Sequence, residues 1–337
     1  MTFDPIFSFC NGHFLNKEGQ PVTCAGKIFD REDIPHLLSL DEAQAEKLFS
    51  ALKTDNVSFI QWPVTWEAIE PEPETYDEMY LANLRTVLKK AEDFDIYVFI
   101  QSVCINWSKA LGGLGAPLWT LDAAKITPQD TAESQEKAKN TMFAYFWSGN
   151  QIAPDFLIEG DTLQDYLQNR YIEAMKHTAR RIKDCVSVLG FNFISQYETG
   201  SHPLLTTNTT NFAEECFNPF ITKFREAFQK KHGHYLYLAD LIPLHAHKNL
   251  ATTVQLLWED EDANDTKKVA LLSLSQLGLS SDPDAIKNLP LLQELQQKGV
   301  PIFLELPKDF TLNPAETEKL SGLSYFSIAS RVSTLLT

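Results

Sequence analysis

Short apolar segments alternate with longer stretches of helical periodicity along most of this chain, and no other feature restricts its fold as strongly. A buried strand reads as a brief apolar run, whereas a helix reads as apolar residues recurring every three or four positions. Their repeated alternation marks right-handed βαβ units around a parallel sheet. "PVTCAGKIF" (Pro21 to Phe29) precedes a helical pattern from Asp41 to Lys53, and "NVSFIQWPV" (Asn56 to Val64) precedes "YDEMYLANLRTVLKKAEDF". "IYVFIQSV" (Ile96 to Val103) follows, and a loop-rich excursion over about residues 106–160 then delays the helix from Leu163 to about Lys183. The rhythm resumes with "VSVLGFNFI", a helix from Asn211 to about Lys231, "KVALLSLS", "VPIFLEL" and "LSYFSIAS". These are seven strands. An eighth is expected between Tyr235 and Trp258, where no single segment stands out.

The 337 residues, 44% of them hydrophobic, suffice for one large core, and no Pro/Gly/Ser linker divides them. The expectation is an α/β fold, a single (β/α)8 TIM barrel over residues 1–337 with an insertion at about 106–160. An open doubly wound sheet is the alternative, but no glycine-rich phosphate loop follows any strand. Barrel chemistry sits at the carboxyl ends of the strands. Those ends carry Gln61, Trp62, Trp66, Glu67, Val103, Asn106, Trp107, Gln196, Tyr197, Glu198, Ser275, Glu305 and Ser330.

Charge and cysteine usage exclude several classes. A net charge of -16 repels phosphate backbones and anionic lipid surfaces, which argues against nucleic acid as a partner. The five cysteines are scattered without a CxxC pair, as suits a reducing compartment. The N-terminus has no basic and apolar signal pattern, and no run reaches the ~18 apolar residues of a membrane span. The reading is a soluble cytoplasmic chain, extracellular only if a leader has been removed. No cofactor or metal is expected: "EPEPE" (Glu70 to Glu74) reads as a solvated turn, and His245 and His247 lack a third ligand.

From "WPVTWEAIEPEPETYDEMYL" (Trp62 to Leu81) onward the sequence resembles glycoside hydrolases of family 5. "YVFIQSVCINWSKALGGLGAPLW" (Tyr97 to Trp119) narrows the resemblance to the endoglycoceramidase-like and glycosylceramidase-like branch. "NKEGQPVTCAG" (Asn16 to Gly26) and "VLGFNFISQYETG" are similar to its first and fourth strands. The resemblance spans most of residues 11–200 and fades afterwards, and the C-terminal β-sandwich these enzymes usually carry is not expected here. It implies a retaining β-glycosidase, with a carboxylic acid that protonates the leaving group and a carboxylate about 5 Å away that attacks the anomeric carbon.

The residues that match the family's motif are largely different. In the frame from Gly190 to Gly200, Ser195 falls at the family's asparagine and Gln196 at its acid/base glutamate, where an amide cannot donate a proton of suitable pKa. Gln61 stands at the arginine, Val103 at the histidine, and Ile28 at the asparagine of the first strand. Glu305 is the candidate nucleophile, although it follows Pro301 by four residues where the family has about five, a shift that reverses strand parity unless a bulge restores it. Glu198, two beyond Gln196, is the one alternative acid/base.

Aromatic residues supply a second sugar signal, since an indole face suits the apolar face of a pyranose. Trp62, Trp66, Trp107, Trp119 and Trp147 lie at or near the expected mouth, with Trp107 and Trp119 flanking "GGLGAP". Gln61, Asn106 and Tyr197 complete the candidate binding residues. Three readings follow: a pseudoenzyme that binds a glycan, a glycolipid headgroup or a protein partner; a divergent active β-glycosidase using Glu198 and Glu305; and a scaffolding barrel whose mouth is plugged by the 106–160 excursion.

Overall fold

The computed structural model describes residues 8–10, 13–15, 18–22, 24–201, 212–232, 235–240, 268–274, 286, 290–297, 302–306, 324–329 and 332. Eight parallel strands close into a barrel: β1 (Ala25–Ile28), β2 (Phe59–Val64), β3 (Tyr97–Val103), β4 (Val188–Ser195), β5 (Leu236–Asp240), β6 (Lys268–Ser273), β7 (Ile302–Glu305) and β8 (Ser324–Ile328). Each pairs with the next, and β8 closes on β1 through Tyr325↔Ala25 to Ile328↔Ile28. This is the expected TIM barrel, and β5 is the eighth strand that the sequence left unplaced. Ser275, Ser330, His245 and His247 lie outside the described residues.

Helices α1 (Ile34–Leu38), α2 (Glu42–Thr54), α3 (Trp66–Ile69), α4 (Glu78–Asp93), α5 (Trp119–Ala123), α6 (Ala132–Ile152), α7 (Leu163–Arg181), α8 (Asn218–His232) and α9 (Pro290–Gln297) complete the chain order. Their starts follow local chemistry. Asp41 accepts from the Gln44 amide at 2.8 Å while the Gln44 side chain accepts from the Asp41 amide at 3.0 Å, a reciprocal cap on α2. Asp77 caps α4 through the amides of Met79 and Tyr80. The excursion after β3 is less loop-rich than expected, because α6 runs for 21 residues within it.

The expected first strand, Pro21 to Phe29, divides in two. Pro21–Val22 pairs antiparallel with His13–Leu15, and β1 starts only at Ala25. The Phe14 ring of that hairpin enters the barrel floor, 4.9 Å from Phe303 and 6.2 Å from Phe59. Above it Phe59, Tyr97, Phe99, Phe303 and Phe326 fill the interior. Glycine is required at position 26, since a Cβ there would lie 2.4 Å from the Phe326 ring.

Candidate functional site

Strand alternation decides what the barrel mouth contains. Phe59, Phe99 and Phe303 point inward, so the residues two further along share their face. Those residues are Gln61, Gln101 and Glu305. Register extends the set, because Gln101 pairs with Asn192, Val103 with Ser195, and Glu305 with Ser273. Among the described side chains the inward face therefore changes from phenylalanine below to amides, hydroxyls and the Glu305 carboxyl above. Gln61 is completely buried, and neither its Oε1 nor its Nε2 has a partner among the described residues.

Glu305 is half-buried at the end of β7, and its Oε1 accepts from the Ser273 hydroxyl at 3.0 Å. Burial pushes the carboxyl above its ordinary range, and the Ser273 hydrogen bond opposes this in part. The parity doubt raised by Pro301 is answered by the register: Glu305 lies on the same face as Phe303 and beside inward Ser273. In the loop leaving β1, Asp33 is 4% exposed and its Oδ2 has no partner among the described residues.

The exit of β4 is held elsewhere. Gln196 leaves the strand with φ 56°, exposed to solvent, while Ser195 stays buried. The next residues are fastened to α6: the Trp147 indole donates to the Glu198 carbonyl at 2.9 Å, and the Ser201 amide donates to the Asn140 carbonyl at 3.2 Å. Gly200 has φ 74°, and a Cβ there would lie 2.5 Å from the Ala144 nitrogen, so only glycine lets the two backbones meet. The Glu198 carboxylate itself pairs with Lys139 of α6 at 2.9 Å. Lys139 also holds Glu136 at 2.8 Å, and its ammonium is buried between the two acids.

The tryptophans are core residues, which corrects their expected place on the mouth. Trp62 follows inward Gln61 and so faces out, 1% exposed between Phe29 and Phe49. Trp66 donates to the Glu70 carboxylate at 2.8 Å, and Trp119 donates to the Glu70 carbonyl at 3.2 Å, with the two indoles edge to face. Trp107 is buried against Phe143 and Phe146 and donates to Thr120 at 2.9 Å. Tyr197 stacks on Phe217 beside Trp147. Asn106, at φ 49°, shapes its own turn through a 3.4 Å bond to the Gly112 carbonyl. The void that Trp66 and Trp107 line with Cys104, Phe146 and Tyr171 measures 10 Å³, about one water and no sugar.

Val103 meets Ile34 and Ile105, with Leu38 and Leu114 packed alongside, so an apolar cluster covers the β1–β3 side of the mouth. Sequence reasoning missed Gln101, Asn192, Ser273 and Asp33. The first three were available from two-residue spacing to inward phenylalanines or from pairing, whereas Asp33 in its loop carried no such signal.

No family model matches the chain. Among curated proteins it is 33% identical to the glucosylceramidase of Aspergillus fumigatus over 199 residues, covering 51% of this chain and 26% of that protein. The chain is thus similar to the glucosylceramidase branch of family 5-like glycoside hydrolases. The ergosteryl-beta-glucosidase of Saccharomyces cerevisiae is 30% identical over 188 residues, covering 45% of this chain and 24% of that one. These matches span only about a quarter of the curated relatives' own length. In fold, sterylglucosidase 1 of Cryptococcus neoformans superposes with a TM-score of 0.69 at 13% identity, covering 96% of this chain and 77% of the other. Endo-glycoceramidase II from Rhodococcus sp., in a ganglioside GM3 complex, superposes at 0.66 with 14% identity, covering 94% and 76%. Among the described residues no helix is long and apolar enough to cross a membrane.

Proposed function

We propose that this chain is a non-hydrolysing relative of the glycolipid-directed β-glucosidases that binds a carbohydrate or glycolipid headgroup at the barrel mouth. The observation that carries the reading is the separation of roles between Glu305 and Glu198. Retaining hydrolysis requires two carboxyl groups about 5 Å apart across the scissile bond. Among strand residues whose side chains are described, Glu305 is the one carboxylate on the inward face. Glu198 is engaged by Lys139 on α6 at 2.9 Å, whereas Glu305 accepts from the Ser273 hydroxyl at 3.0 Å. Gln196, at the position that the resemblance gives to the acid/base, keeps hydrogen-bonding capacity but cannot protonate a leaving group.

Binding without cleavage is supported by the polar inward set of Gln61, Gln101, Asn192, Ser195 and Ser273, which suits hydroxyl-rich ligands. The apolar cluster at Ile34, Val103 and Ile105 favours a second reading, a scaffold whose mouth takes no ligand. The test is hydrolysis of 4-nitrophenyl β-glucoside and glucosylceramide by the wild type, Gln196→Glu, Glu198→Gln and Glu305→Gln. No turnover above background is expected from the wild type or from either carboxylate variant. Wild-type turnover above background overturns the proposal, and its loss in both Glu198→Gln and Glu305→Gln would assign the two carboxylates to the chemistry.

A further inference from the structure

His177 lies in the seam between α4 and α7, 7% exposed, with both ring nitrogens engaged. Arg180 Nη2 is 2.8 Å from its Nδ1, and Glu78 Oε1 of α4 is 2.8 Å from its Nε2. A guanidinium only donates, so Nδ1 is the acceptor, and the proton of the neutral ring resides on Nε2 and is donated to Glu78. Tyr76, in the turn before α4, stacks on the imidazole with ring centroids 3.9 Å apart. The same Glu78 oxygen also takes Arg181 at 2.5 Å. One neutral ring thereby joins the C-terminal end of α7 to the first turn of α4.

A second proton has no good place on this ring. It would fall on Nδ1, setting an N–H against the Arg180 guanidinium and one cation against another. Burial of the ring pushes its pKa below the ordinary value, Glu78 pulls it back in part, and Arg180 and Arg181 push it down again. Glu70, Arg170 and Glu173 act on Tyr76 at the other face of the stack, and Glu173 is itself paired with Lys176. Arg180 is exposed, so its guanidinium can exchange the ring for water.

We infer that His177 is a proton-operated clasp: neutral, it ties Arg180 to Glu78 and holds α7 against α4; protonated, it keeps Glu78 and expels Arg180 into solvent, loosening the seam. The step adds one solvent proton to Nδ1 and breaks one hydrogen bond, and it does not depend on the carbohydrate reading. The folded ring takes that proton less readily than the unfolded chain, whose histidine titrates near ~6.5. The contribution of the clasp to stability is therefore full above the unfolded value and is lost as pH falls through the folded one.

The test is a pH titration of the ring by long-range proton–nitrogen NMR, with His177 assigned by the signal missing from His177→Gln or His177→Asn. At pH 8 the Nε2–H tautomer is expected, with a titration midpoint below ~6.5 that Arg180→Met raises. The urea midpoint is expected to drop further between pH 7.5 and pH 5.5 in the wild type than in Arg180→Met, which has no guanidinium to expel, while groups elsewhere titrate alike in both. An Nδ1–H tautomer, a midpoint at or above ~6.5, or a midpoint that Arg180→Met leaves in place overturns the inference. An equal drop in the two urea midpoints also overturns it, since the clasp would then stay closed in acid.

Discussion

Glu305 concentrates the tension between stability and function in a single side chain. In an unfolded chain a glutamate titrates near ~4.3, whereas burial at the end of β7 raises the folded value. The folded state therefore holds its proton longer as pH rises. Its stability is greatest below the unfolded value, declines as pH rises from there through the raised folded value, and carries the full penalty above it. Glu305→Gln keeps the shape and the acceptor for Ser273 but removes the titration. The variant is expected to be more stable than the wild type at pH 7, with the advantage shrinking toward pH 4. Urea midpoints at the two pH values check this, and an advantage equal at both would refute it. The face of Glu305 stayed open in the sequence, because its four-residue spacing from Pro301 argued against the mouth and only the pairing with Ser273 fixes the register. Strand alternation shows why Gln61 and Trp62 could not both line the mouth, since neighbours on a strand face opposite ways. Residue type suggested sugar platforms, but alternation placed Trp62 in the outer core.

At the scale of elements, Glu70 is the joint between the β2 exit and α7. It is fully buried and gathers the Trp66 indole at 2.8 Å, the Glu74 amide at 2.8 Å and the Arg170 guanidinium at 2.7 Å. "EPEPE" reads as a solvated turn, and its first residue proves to be the opposite because α7, a hundred positions later, supplies Arg170. No local pattern encodes such a partner. Glu70→Ala leaves a guanidinium, an indole and an amide without their acceptor, and is expected to destabilise the protein by about 3–5 kcal/mol. Glu70→Gln should recover part of this by restoring neutral acceptors. Chemical denaturation of both variants measures the difference, and a Glu70→Ala loss below about 1 kcal/mol, the scale of an exposed pair, would contradict the joint. Other elements were unequally readable. Helical periodicity marked α2 and α4, whereas β5 lay in "YLYLADLIPL", an apolar run that continues past the strand and gives no end point. In α6 the apolar residues Ala138, Met142, Phe143, Phe146 and Trp147 recur at helical spacing only in its second half, so the excursion read as loop.

Across the whole molecule, the two ends of the barrel carry different burdens. βαβ alternation made the closed sheet legible, because eight such units with covered faces leave few other ways to bury the strands. What plugs the floor was less legible: Phe14 belongs to a hairpin whose register depends on pairing rather than on local pattern. Its ring meets Phe59 and Phe303 beneath the filled interior, while Glu305, two residues above Phe303, opens on the mouth. Phe14→Ala removes a ring that is 2% exposed and should cost about 3–5 kcal/mol through lost burial and the cavity left behind. Because packing at the floor of a barrel serves stability and the strand ends serve binding, the lesion should lower the urea midpoint without altering the affinity for methyl β-D-glucopyranoside at temperatures where the variant is folded. A loss of affinity matching the loss of stability would mean that floor and mouth are not independent. In that case the Phe303 column, which touches Phe14 below and carries Glu305 above, would be the connection between them.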